Sequence, residues 1–88
     1  MVLQDLKDNL IERGYENAVV FENPDYLSAV IGVSQDGQVI YSYEKMVEHL
    51  MEEDEIEEED AIEFIDYNTI RALPYMGSNA PVISYNIF

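Results

Sequence analysis

Apolar residues recur at helical spacing along the first dozen positions. Val2, Leu3, Leu6 and Leu10 fall on one side of a 3.6-residue repeat and Asp5, Asp8 and Glu12 on the other, which predicts a helix over residues 2–13. Gly14 supplies a left-handed stop, and Arg13 sits near the negative end of the helix dipole. The next apolar run, Ala18-Val19-Val20-Phe21, is rich in β-formers and closes on the turn cluster Asn23-Pro24-Asp25. It predicts a short strand at a sheet edge.

Two further β-rich runs, 28–34 and 39–43, flank Gln35-Asp36-Gly37-Gln38, and Asp-Gly suits a two-residue hairpin turn. That turn would pair Val33 with Ile40, Gly32 with Tyr41 and Ile31 with Ser42, laying the Tyr41 ring over the bare backbone of Gly32. One face would carry Ala29, Ile31, Val33 and Ile40, the other Val30, Val39, Tyr41 and Tyr43. Residues 44–53 return to helical spacing, with Met46, Val47, Leu50 and Met51 on one stripe. A third helix is expected over 58–72, directing Ala61, Ile62, Phe64, Ile65, Ala72 and Leu73 inward and leaving Tyr67 and Ile70 on the far side. Pro74 ends it. Pro81 introduces an alternating strand over 82–87, with Ile83, Tyr85 and Ile87 on one side.

The order helix, strand, hairpin, helix, helix, strand predicts an α+β fold in a single domain, residues 1–88. Its expected sheet is antiparallel, with three to four strands built on the central Asp-Gly hairpin plus the C-terminal strand. About three helices pack on one face of it.

Composition confirms a folded chain and then narrows its partners. A hydrophobic share of 48% is ordinary for a globular protein, and 88 residues allow one thin core. The chain has no cysteine, which fits a reducing cytoplasm and excludes disulfides and thiolate metal sites. The first residues lack the basic and apolar regions of a signal peptide, and no apolar run approaches the ~20 residues of a membrane span. A cytoplasmic protein without membrane contact is expected. A net charge of −15 repels nucleic acid and anionic lipid and attracts basic proteins through a salt-dependent field. The four cations, Lys7, Arg13, Lys45 and Arg71, are too scattered to form a phosphate-binding stripe.

The charge is concentrated. Residues 52–60 hold eight acids around Ile56, and residues 44–66 hold 12 of the 19 carboxylates against Lys45 alone. Ile56 is expected to pin a tight connection between two helices. The run reads either as a solvated turn or as a docking surface whose carboxylates imitate the spacing of backbone phosphates. Candidate partner-binding residues are Glu52, Glu53, Asp54, Glu55, Glu57, Glu58, Glu59 and Asp60, together with Tyr67 and Arg71. Arg71 has no carboxylate three or four residues before it, so stacking on Tyr67 or Tyr75 is expected.

Calcium-loop chemistry fits poorly. Counted from Asp54, Ile56 takes the third ligand position and Glu59 the place of the required glycine. A looser carboxylate site for a divalent cation is a weaker alternative, and no cofactor is expected. His49, the single histidine, lies beside Glu48, Glu52 and Glu53 and makes a poor general base. No glycine-rich phosphate loop or nucleophile motif accompanies it. A non-enzymatic protein is expected.

The segment Ile65-Asp66-Tyr67-Asn68-Thr69-Ile70-Arg71-Ala72-Leu73-Pro74-Tyr75-Met76-Gly77, with Asp36-Gly37-Gln38-Val39-Ile40-Tyr41-Ser42-Tyr43-Glu44-Lys45-Met46, resembles small uncharacterised proteins carried by bacterial genomes, phages and mobile elements. The resemblance spans roughly residues 25–83, most of one domain. It implies a bacterial or phage accessory protein and carries no activity or site residues. Glu57 departs from the pattern where Ser or Thr would cap a helix better, marking the acidic run as a specialisation. The combined expectation is an acidic inhibitor or nucleic-acid mimic that docks on a basic groove, as anti-CRISPR-type and other anti-defence proteins do. The alternative is a structural, assembly or homodimeric module that uses its tyrosine-rich surface.

Overall fold

The computed structural model describes residues 2–88. Helix α1 (Leu3–Glu12) buries Leu6 and Leu10. Val2 caps it, donating its N–H to Asp5 Oδ2 at 3.0 Å, and therefore stays outside the core at 61% exposure. The stop at Gly14 is a Schellman motif: Tyr15 N–H donates to the Leu10 carbonyl at 2.8 Å and Gly14 N–H to that of Ile11 at 3.1 Å. Gly14 has φ +88°, open to glycine at no steric cost.

Residues 18–21 do not form the expected strand. Phe21 enters the core, but its N–H donates to the Tyr41 hydroxyl at 3.1 Å rather than to a neighbouring strand. A side chain has taken the bond a ladder would need.

Strands β1 (Val30–Val33) and β2 (Val39–Ser42) form the central antiparallel hairpin. Its turn is one residue longer than the sequence suggested. Gly37 N–H donates to the Ser34 carbonyl at 3.0 Å, Ser34 N–H to the Gln38 carbonyl at 2.7 Å, and Gly37 has φ +86°. This is a type I turn followed by a left-handed glycine. The longer turn shifts the pairing to Val33–Val39 and Gly32–Ile40, and a bulge at Ile31 shifts it by one more residue, giving Val30–Tyr41. Gly32 therefore does not lie opposite Tyr41. Val39 and Tyr41 are fully buried while Ile31 is 51% exposed, so one face of the sheet is covered.

Strand β2 runs directly into helix α2 (Tyr43–Glu53), so Tyr43 belongs to the helix and not to the hairpin. Ser42 caps the helix, its Oγ accepting from Lys45 N–H at 3.3 Å. Met46, Val47 and Leu50 are buried as their spacing implied, and Met51 lies at the edge, 36% exposed. Asp54 and Glu55 end α2, and helix α3 (Glu58–Phe64) follows. Ile56 between them packs against the core.

The third helix does not run as one α-helix to residue 72. Residues Ile65–Ile70 are π-helical, and Leu73–Tyr75 form a 3₁₀ turn around Pro74. The wider π turn advances each residue through a smaller angle. Ala61, Ile65 and Thr69 consequently face the core, Ile70 is half-buried, and Phe64 and Ala72 are turned outward.

Strand β3 is short, Val82–Ser84, and leaves Tyr85 and Ile87 outside the sheet. It lies beside β2, as expected, but parallel to it, pairing Ile40 with Val82 and Ser42 with Ser84. The sheet is thus mixed, in the order β1-β2-β3. The helical crossover from β2 returns the chain to the end of the sheet at which β2 began, and a parallel neighbour requires such a connection. Three helices and this small sheet around one core make an α+β domain. No helix among the described residues is long and apolar enough to cross a membrane.

Candidate functional site

The acidic run forms the α2–α3 junction, and all eight of its acids are exposed. Ile56 holds its middle to the core. Glu55 turns the chain with φ +52°, a left-handed conformation usually given to glycine. Glu57 occupies the N-cap of α3 but makes no side-chain capping bond, while Glu58, Glu59 and Asp60 fill the first turn, where the helix dipole favours negative charge.

Ile56 also divides the run spatially. Glu52, Glu53 and Asp54 line one wall of an open groove of about 720 Å³; Glu22 and Asp25, on the loop before β1, line the facing wall. Glu58 instead faces a separate hollow beside Met51 and Ile62, and Asp60 faces another beside Phe64 and Tyr67. The sequence reading missed Glu22 and Asp25. They lie about thirty residues from the acids they face, and only the turn at Asn23-Pro24 brings the two groups together.

His49 and Ser28 also line the groove. Ser28 Oγ lies 3.1 Å from His49 Nδ1, and Asp25 Oδ1 lies 3.9 Å from His49 Nε2. These are the residue types of a nucleophile triad, but 3.9 Å is no hydrogen bond, and Asp25 Oδ1 accepts the Leu27 N–H at 3.1 Å. Asp25 acts as a turn-former for the 3₁₀ segment Leu27–Ala29.

Tyr26 carries this loop. It is completely buried, with φ +48°, and its hydroxyl is 2.9 Å from Thr69 Oγ1 in the π-helical turn. Burial pushes its pKa up, the Thr69 hydrogen bond opposes that shift, and the charge of Asp54 adds to it. Its ring packs edge-on to Phe21 at 5.6 Å and tilted against His49 at the same separation.

Tyr67 and Arg71 do come together. Arg71 Cζ lies 4.9 Å from the centre of the Tyr67 ring, which is 66% exposed. Tyr75 is 89% exposed. A second aromatic pair, Tyr43 and Tyr85 at 4.8 Å, fastens the C-terminal segment to α2. Asn86 N–H strengthens the attachment by donating to Glu44 Oε1 at 3.1 Å. Burial raises the Tyr43 pKa to about 12, helped by the Asp66 carboxylate that accepts its hydroxyl proton at 2.9 Å.

Among the described residues, no three His, Asp or Glu side chains converge as a metal site. No family model matches the chain, and neither a curated protein nor a solved structure matches it. Fold and site together define a small α+β domain with an exposed acidic junction.

Proposed function

We propose that the protein is a non-enzymatic binding protein that docks its acidic junction on the basic groove of a partner protein, as an inhibitor or nucleic-acid mimic would. One observation supports this most. Among the described residues, Lys7–Glu22 at 2.9 Å is the only Lys or Arg ion pair, so the field of 19 acids is left almost entirely for external cations. Carboxylates one helical turn apart, about 5–6 Å, offer such a groove a row of anions at roughly phosphate spacing. The resemblance of residues 65–77 suits an accessory role in a bacterium or phage.

The test is capture from bacterial lysate by the tagged protein and by a variant with Glu57→Gln, Glu58→Gln and Glu59→Gln. A basic protein that elutes between low and moderate salt and is lost with the variant supports the reading. Capture that persists unchanged in the variant and at high salt overturns it.

The exposed Tyr67, Tyr75 and Tyr85 favour a second reading, an assembly module or homodimer that uses its tyrosine-rich surface. A salt-insensitive dimer in sedimentation would support it over the first.

A further inference from the structure

The acidic groove does not end at Asn23-Pro24. On the other side of that turn lies a cleft of about 280 Å³ between the loop and the π-helical segment, and Glu22, Asn23 and Pro24 belong to both walls. The cleft is apolar inside, where Phe21, Phe64, Ala72 and Met76 meet, and carries the amides of Asn23 and Asn68. Phe64 is 38% exposed there, because the helix turns it away from the core. The volume lies just under the about 300 Å³ at which small-molecule pockets begin, which is room for one bulky side chain. The unusual backbone of the protein meets at this place. Tyr26, in its left-handed conformation, forms part of the cleft and is joined to Thr69 of the π-helical turn. The cleft walls are therefore held by a bond between two segments far apart in sequence.

We propose that this cleft receives a bulky apolar side chain of a basic protein segment while a neighbouring Lys or Arg of that segment enters the acidic groove. The proposal rests on the basic-partner reading above and supplies the anchor that reading lacks. Charge complementarity identifies the occupant: Glu22 lines both the cleft and the groove that Asp25 and Glu52–Asp54 line, so a segment seated in the cleft lies beside carboxylates that favour neighbouring cations. An anchor seated in a pocket beside charged groups is how small interfaces gain most of their affinity. Asn68 donates to the Phe64 carbonyl at 3.2 Å, leaving its own amide oxygen to accept from the segment's backbone.

The test uses two fluorescent pentapeptides of equal charge, Arg-Lys-Phe-Lys-Arg and Arg-Lys-Ser-Lys-Arg, titrated by anisotropy at low salt. The phenylalanine peptide is expected to bind about tenfold more tightly, the gain from burying one aromatic side chain. Ala72→Leu, a change at an exposed wall position, fills the cleft; it is expected to abolish the preference while leaving serine-peptide binding intact, which also shows that the variant is folded. Equal binding of both peptides by the unaltered protein overturns the cleft proposal and leaves the acidic docking standing. Failure of either peptide to bind, with salt-sensitive lysate capture preserved, overturns the cleft proposal alone; loss of capture as well overturns the underlying reading.

Discussion

The Tyr26 hydroxyl and Thr69 Oγ1, 43 positions apart in sequence and 2.9 Å apart in space, form the polar contact that ties the loop before β1 to the π-helical turn. Tyr26 is fully buried and Thr69 nearly so, which makes each the other's replacement for water. Thr69→Val keeps the shape and leaves the tyrosine hydroxyl unsatisfied, at a cost of about 1–3 kcal/mol. The double variant Tyr26→Phe/Thr69→Val should recover part of that loss, because no orphaned donor remains. A urea-melt double-mutant cycle measures the coupling, and strictly additive losses would refute it.

Alkali should unfold the protein through its tyrosines. Burial raises Tyr41 to about 12 from the ordinary 10, and Tyr43 reaches about 12 as well. The raised value means that the fold binds the phenolic proton more tightly than the unfolded chain does. The stabilisation is fully present below about pH 10 and is lost as pH rises from there toward 12. Melting temperature should hold steady to about pH 10 and fall beyond it, with phenolate absorbance lagging that of free tyrosine. A melting temperature flat to pH 12 would contradict the buried placement of Tyr41.

Glu55 holds a left-handed turn that glycine would hold without steric cost. Glu55→Gly should raise stability by roughly 0.5–1 kcal/mol, the relieved strain exceeding the extra entropy of an unfolded glycine. Glu55→Gln removes the same charge and keeps the strain, so the difference between the two variants isolates the backbone contribution in a thermal melt.

Glu57 stands at the N-cap of α3 without capping it. Glu57→Asp retains the charge and shortens the side chain enough to accept from the first-turn N–H groups, with an expected gain of about 1 kcal/mol. An unchanged denaturation midpoint would mean that the helix start is already satisfied by solvent.

Salt should stabilise the free protein. With a single Lys–Glu pair among the described residues, screening relieves repulsion and breaks little attraction. Melting temperature is expected to rise between low salt and about 0.2 M sodium chloride, over which the Debye length falls below about 10 Å. A fall would indicate that attractive pairs dominate.

Elements written by local spacing were legible in the chain. Leu6 and Leu10, the Gly14 stop, the Met46–Leu50 stripe, the pinning by Ile56 and the stacking of Arg71 on Tyr67 all follow from residues within one or two helical turns. Misreadings arose where a distant group decided the outcome. Phe21 lies in a strand-like run, but the Tyr41 hydroxyl takes its N–H. Asp36-Gly37 is compatible with turns of two lengths, and Ser34, whose Oγ accepts from Gln38 N–H at 3.1 Å, favours the longer. A serine at the first position of a type I turn and a glycine at the fourth was the available signal. Glu22 and Asp25 carried no mark of the groove they share with Glu52, Glu53 and Asp54, since sequence spacing does not encode contact across a loop.

The π-helical stretch from Ile65 to Ile70 makes length a specified property of this part of the chain. A π turn holds an extra residue within a helix that would otherwise be regular. Inserting one more residue there, an alanine after Asn68 for instance, would exceed what the π turn absorbs and swing everything after it by about 100° around the axis. Thr69 would then leave Tyr26, and the loop side of the groove would lose its tether. A single-codon insertion should therefore be far more damaging here than any conservative exchange at the same positions.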